Sequence, residues 1–121
     1  MPRALTLGLI LSLLAAPLAR AAAFVAGTED VPLMEGLVTV DGKSLAFDKP
    51  EGRIVEAEAR GKLARAKVRD FYGATLPQLG WSAAGPDAWR REGEVLRIVF
   101  GGRDGDLTVG FTLSPQQESR P

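Results

Sequence analysis

Carboxylates offer this chain its best chance of chemistry. Glu56 and Glu58 stand two apart in a stretch that alternates apolar and polar residues, so on a strand both side chains share one face, about 6.5 to 7 Å apart. That separation suits paired-carboxylate catalysis. Arg60 falls on the same face, however, and alternating charge on a strand is the ordinary pattern of its wet side. Asp104-Gly105-Asp106 is the second candidate: two carboxylates on a glycine-flanked loop are hard oxygen donors of the kind calcium takes. A calcium site needs six to eight such ligands, the EF-hand spacing is absent, and Asp and Gly are also the residues of a tight turn. No metal or cofactor site is expected.

The remaining reactive types narrow the field. The chain has no histidine and no cysteine, so imidazole bases, thiolate nucleophiles and their zinc sites are missing. Ser44, Ser82 and Ser114 have no G-x-S-x-G or S-x-x-K context, and neither a G-x-G-x-x-G nor a Walker pattern occurs. The composition points to a protein that is not an enzyme.

Three aromatic residues with a polar tip, Tyr72, Trp81 and Trp89, cluster near the end of the expected helix and in the first hairpin. They are the candidate binding residues, since such side chains anchor many interfaces. The competing reading makes them core, because few other large side chains could fill that end of a small domain. Four cations, Lys62, Arg65, Lys67 and Arg69, line one side of the same helix; its apolar side is committed inward, which leaves them a solvated stripe rather than a membrane-surface helix.

Around these residues the chain divides simply. Residues 1–23 read as a cleaved signal peptide: Arg3, then the run from Ala4 to Ala16 rich in leucine, then small residues before Ala21 or Ala23. Pro17 and Arg20 interrupt the run before it could span a membrane, so no stable span is expected after cleavage, and the mature chain starts at Ala22 or Phe24. Without cysteine the export route is not that of a lipid-anchored lipoprotein, and no disulfide can help the fold. The expected location is periplasmic, or extracellular. Losing Arg3 and Arg20 leaves 13 basic against 15 acidic residues, a balance that argues against nucleic acid as a partner.

Residues 24–50 read as an N-terminal arm punctuated by Gly27, Pro32 and Gly36, with short strands at Leu37–Val40 and Ser44–Phe47. Residues 51–114 make one α+β domain. Arg53–Arg60 is a strand with Val55, Ala57 and Ala59 inward. Lys62–Leu79 is an amphipathic helix on Ala64, Val68, Tyr72 and Leu76, with Pro77 tightening or kinking its last turn and Gly80 just past its end. A meander of about four strands follows: Trp81–Ala84, Ala88–Glu92, Val95–Phe100 and Leu107–Leu113, the last two joined by a glycine-rich loop, Gly101–Asp106. Leu96, Ile98 and Phe100, with Leu107, Val109, Phe111 and Leu113, fall on one side of their strands, as an antiparallel sheet with one wet face requires. One amphipathic helix packed on a small antiparallel sheet is the expected architecture. Residues 115–121 are expected to be a disordered tail.

Three runs, Val31-Pro32-Leu33-Met34-Glu35-Gly36-Leu37, Gly52-Arg53-Ile54-Val55-Glu56-Ala57 and Phe71-Tyr72-Gly73-Ala74-Thr75-Leu76-Pro77-Gln78-Leu79-Gly80-Trp81, carry a resemblance. Through them nearly the whole mature chain resembles a family of small uncharacterised exported proteins of Gram-negative bacteria, in which proline is frequent where Glu35 stands here. The resemblance implies a periplasmic location; the family has no assigned reaction, so no catalytic residue is carried over from it. In fold alone, a helix held by a meander looks like the helix-grip modules of envelope assembly lipoproteins. The function expected from all this is a non-enzymatic interaction module of the cell envelope, binding another envelope protein through a sheet edge or the aromatic end of the helix. The alternative is a carrier or sensor of a small apolar, lipid-like ligand held between helix and sheet above Ala57 and Ala59.

Overall fold

In the computed structural model, residues 23–116 are described; all but the last residue of the expected signal peptide, and residues 117–121 of the expected tail, lie outside them. The fold is α+β: one short helix, α1 (Arg65–Thr75), lies on a seven-stranded antiparallel sheet. In chain order the strands are β1 (Val38–Thr39), β2 (Leu45–Lys49), β3 (Gly52–Gly61), β4 (Ser82–Ala83), β5 (Ala88–Arg91), β6 (Glu94–Arg103) and β7 (Asp106–Pro115). Across the sheet they run β1-β3-β7-β6-β5-β4. β2 also pairs with β3, so β1 and β2 follow one another along the same outer edge.

Alternation along the strands builds the core in rows. Val55, Leu113, Leu96 and Trp89 are paired in register from β3 to β5; Ala57, Phe111 and Ile98 form the next row; Ala59, Val109 and Phe100 the third. All but Trp89 and Phe100 are buried. Over these rows α1 presents Val68 and Tyr72, with Leu76 just beyond it. Each such aliphatic or aromatic side chain contributes about 1.5 to 3 kcal/mol by leaving water.

The helix is shorter at both ends than its periodicity implies. It begins at Arg65 rather than Lys62, because Ala64 at its cap has no side chain able to accept from the first turn. The missing acceptor comes from the β6–β7 turn, where Asp104 Oδ1 takes the Arg65 N–H at 2.9 Å. At the other end Pro77 cannot continue the helical ladder, and Pro77–Leu79 tightens into a 3-10 turn, as expected. Gly80, at φ 91°, then reverses the chain in a conformation that costs a residue without Cβ little, and Trp81 N–H reaches back to Leu76 O at 3.0 Å.

The expected glycine-rich loop is mostly strand. β6 and β7 stay paired as far as Arg103 and Asp106, leaving only Asp104-Gly105 to turn the chain. Gly102 is there because a Cβ would meet Asp106 O at 2.4 Å. The expected tail likewise begins inside the sheet, since β7 runs to Pro115 and Gln116 N–H bonds Gly93 O at 2.6 Å.

The arm completes the core. Val25, Val31 and Leu37 are buried in the same cluster as the sheet and helix residues. The arm crosses β3 so closely that a Cβ on Gly61 would lie 2.4 Å from Gly36 O. Tyr72 fastens it: the hydroxyl donates to Pro32 O at 2.9 Å and accepts from Met34 N–H at 3.3 Å, while the ring meets Phe111 edge-on at 5.6 Å.

Burial pushes the Tyr72 hydroxyl up from its ordinary 10.0 to about 12, against a smaller opposing effect of the Met34 N–H. The folded chain therefore keeps a proton that the unfolded chain releases above pH 10, so this contribution is intact below pH 10 and is lost as pH rises toward 12. Since Tyr72 is the sole tyrosine, absorbance at 295 nm will show one phenolate transition centred near 12 in the folded protein. Stability should fall by about 2 to 3 kcal/mol across that interval, and Tyr72→Phe should flatten this dependence.

Candidate functional site

The residues singled out in the sequence do not converge. Glu56 and Glu58 sit on the sheet face away from α1, in rows with Leu45 and Thr112 and with Gly110, and Arg60 shares that face. Asp104 is committed to the helix start and Asp106 pairs with Arg103 in the ladder. Among the described residues no group of three or more acidic side chains is placed to hold a metal ion.

Tyr72 and Trp81, expected as binding anchors, are 1% and 2% exposed, and Trp89 is partly buried against the same cluster. They do not form a surface aromatic end; they close the core beneath the arm and the 3-10 turn. Trp81 is roofed by the Arg91 guanidinium, 4.5 Å from its ring, and Trp81 Nε1 has no partner among the described residues. Ala57 and Ala59 are buried in the cluster that includes Val68, Tyr72 and Leu76. The cationic helix side is not uniformly solvated, because the Arg65 and Arg69 guanidiniums lie over the Phe100 ring at 5.6 and 5.1 Å.

What the structure does assemble is charge at the open end of the core. Arg53 Nε donates to Glu94 Oε2 at 2.9 Å, and its Nη2 reaches Glu94 Oε1 and both oxygens of Asp30 at 3.1 to 3.3 Å. Arg91 donates through Nη2 to Asp30 Oδ2 and through Nη1 to Leu79 O at 3.0 Å. One carboxylate of the arm thus joins β3 to β5, and the 3-10 turn is held with them. The bonds to Glu94, followed by the charges of Glu94 and Asp30, hold the Arg53 pKa well above its usual value although partial burial opposes them. Two guanidiniums and two carboxylates thus meet in opposite-charge hydrogen-bonded pairs, a pattern that fixes geometry.

Two accessible features of the described residues bear on binding. On the face opposite α1, large apolar side chains line the β1–β2 side: Val38, Leu45 and Phe47 are 70%, 52% and 41% exposed. Their register opposite Arg60, Glu56 and Ile54 puts all three on that face. The second is a notch of about 300 Å3 beside β6, bounded by Pro86 and Asp87, by Ile98, Val99 and Phe100, and by Arg65, Arg69 and Arg97. Asp87 adopts φ 53°, a strained value for a residue with Cβ, and its carboxylate grips Arg69 through bonds of 3.0 and 2.8 Å.

Neither feature is visible as a motif. The apolar side chains at 38, 45 and 47 are split between two short strands, and the notch joins residues from three separate parts of the chain. The strands expected around Gly93, Ala88–Glu92 and Val95–Phe100, are nearly equal in length, so nothing local announces the notch. No family model, curated protein or solved structure matches the chain, so the site rests on its own geometry.

Replacing Asp30 by Ala should leave Arg53 with one carboxylate partner and Arg91 with none. Because both guanidiniums are partly wetted, the expected cost is about 1 to 2 kcal/mol in urea unfolding. A loss below about 0.3 kcal/mol would show that the network does not hold the arm.

Proposed function

We propose that the protein is a non-enzymatic interaction module of the cell envelope, acting in the periplasm, which engages another envelope protein through the β1–β2 side of its sheet. The observation that carries this reading is the alignment of Val38, Leu45 and Phe47 on the uncovered face of an outer edge. β2 is exposed along its whole length and pairs with β3 alone. Edge strands of soluble proteins are usually blunted by charge or cover, and apolar side chains left in water beside an open ladder are the surface a partner strand or apolar patch removes.

The chemistry elsewhere supports a binding role. Asp30, Asp87 and Glu94 are tied to Arg53, Arg69 and Arg91 in structural pairs, and the polar tip of Tyr72 is spent on the arm. A leader-like N-terminal sequence supplies the compartment of this proposal.

A photo-crosslinking residue placed at Leu45 or Phe47 in producing cells should yield one discrete adduct larger than the monomer, recovered from the periplasmic fraction. The same group at Lys67, on the outer side of α1, should not. Recovery of monomer alone from both edge positions, or equal labelling from Lys67, would remove the proposal.

A further inference from the structure

The β5–β6 hairpin is lopsided. β5 has four residues and β6 has ten, joined by the two-residue turn Glu92-Gly93. β5 therefore runs out at Ala88, opposite Arg97, and the last bond across this pair is Ile98 N–H to Asp87 O at 2.9 Å. Backbone groups of alternate residues in a strand point to the same side. Phe100, two residues beyond Ile98, thus directs its N–H and C=O to the side where β5 has ended, while β7 occupies the other side as far as Arg103.

This interrupted edge forms the floor of the notch. Its walls are cationic: Arg65 and Arg69 lie over the Phe100 ring on the helix side, and Arg97, in register with Thr112, projects on the opposite face. The notch's one carboxylate, Asp87, is already bonded to Arg69. Arg65 Nε is buried without a hydrogen-bond partner, and Arg97 makes no ion pair among the described residues. An open rung of sheet backbone flanked above and below by Arg65 and Arg97, neither paired with a carboxylate among the described residues, defines a complementary occupant.

We infer that this notch accepts one extended segment of a partner protein bearing adjacent carboxylate side chains, which pairs with Phe100 as an added strand. Successive side chains of a strand point to opposite faces, so two neighbouring acidic residues would reach Arg65 on one side and Arg97 on the other. Charge-assisted bonds of this kind are roughly twice as strong as neutral ones, and they set the preference for an acidic segment. The site is separate from the β2 edge and stands whether or not that edge binds.

The test is amide exchange and chemical-shift titration of the 15N-labelled protein with a capped hexapeptide, Thr-Glu-Glu-Val-Glu-Thr, and with its counterpart carrying Lys for Glu. The glutamate peptide should shift the Phe100 amide and slow its exchange, and added salt should weaken it. Arg65→Gln should lower affinity about tenfold. Phe100→Pro, which deletes the N–H on the open side and leaves the β7 ladder intact, should abolish binding. Phe100→Leu keeps the N–H and apolar bulk, and should bind like the parent; it separates loss of the edge from loss of fold. Equal affinity for the lysine peptide, an unchanged Phe100 amide at saturation, protection at Leu45–Lys49 instead, or no binding at millimolar peptide would each overturn the inference. Protection of Phe100 that rises with protein concentration alone would assign the edge to a second copy, and would overturn it equally.

Discussion

A single phenol holds three parts of this fold together. Helix α1 is three turns long and brings Val68 and Tyr72 to a sheet far wider than one helix can cover. The apolar rows beneath stay dry only because the arm lies beside the helix and contributes Val25, Val31 and Leu37. Backbone that crosses a core brings polar groups with it, and each buried one costs about 1 to 3 kcal/mol if unpaired. The Tyr72 hydroxyl meets two of them at once, accepting from Met34 N–H and donating to Pro32 O, and its ring is seated on Phe71 and Phe111. A chain without cysteine has no covalent alternative.

The charged end of the core follows from the same constraint. Where the arm leaves the apolar rows, Asp30 takes over from Tyr72, held by Arg53 and Arg91, while Glu94 completes the pairing of Arg53. Closing the helix side so thoroughly places whatever remains available on the other side and at the edges. Among what remains accessible are a row of apolar side chains on the β1–β2 margin and a gap beside β6. The cations of α1 also gain a meaning that a solvated stripe does not have, since two of them roof Phe100.

Much of this was legible wherever a residue's neighbours in sequence are also its neighbours in space. Period-two alternation located β3, β6 and β7 with the correct inward faces, and Pro77 marked the tightened end of the helix. The failures share a cause in long-range contact. Ala64 gives no start signal because the cap comes from Asp104, forty residues on. Gly101 and Gly102 read as loop, whereas Gly102 is a strand residue whose missing Cβ admits Asp106 O. Asp30 lies in an aperiodic stretch, and nothing local couples it to Arg53 or Arg91. Tyr72 and Trp81 carry the polar tips of binding residues, but their spacing on the apolar stripe and at the helix end sends them inward, where the Tyr72 hydroxyl finds backbone partners.

The core closes only if the arm is an integral layer of the domain. Native-state hydrogen exchange measures this directly, because the Met34 amide donates to the Tyr72 hydroxyl, a bond that exists only while the arm is docked, and the amides of Val25 and Leu33 donate in bonds that hold the arm's own fold. If the arm is part of the core, these amides should open with the same free energy as those of β3 and β7 and respond to denaturant with the same slope. Exchange of the three through a cheap opening of low slope, with β3 and β7 still protected, would show a detachable flap and contradict the account.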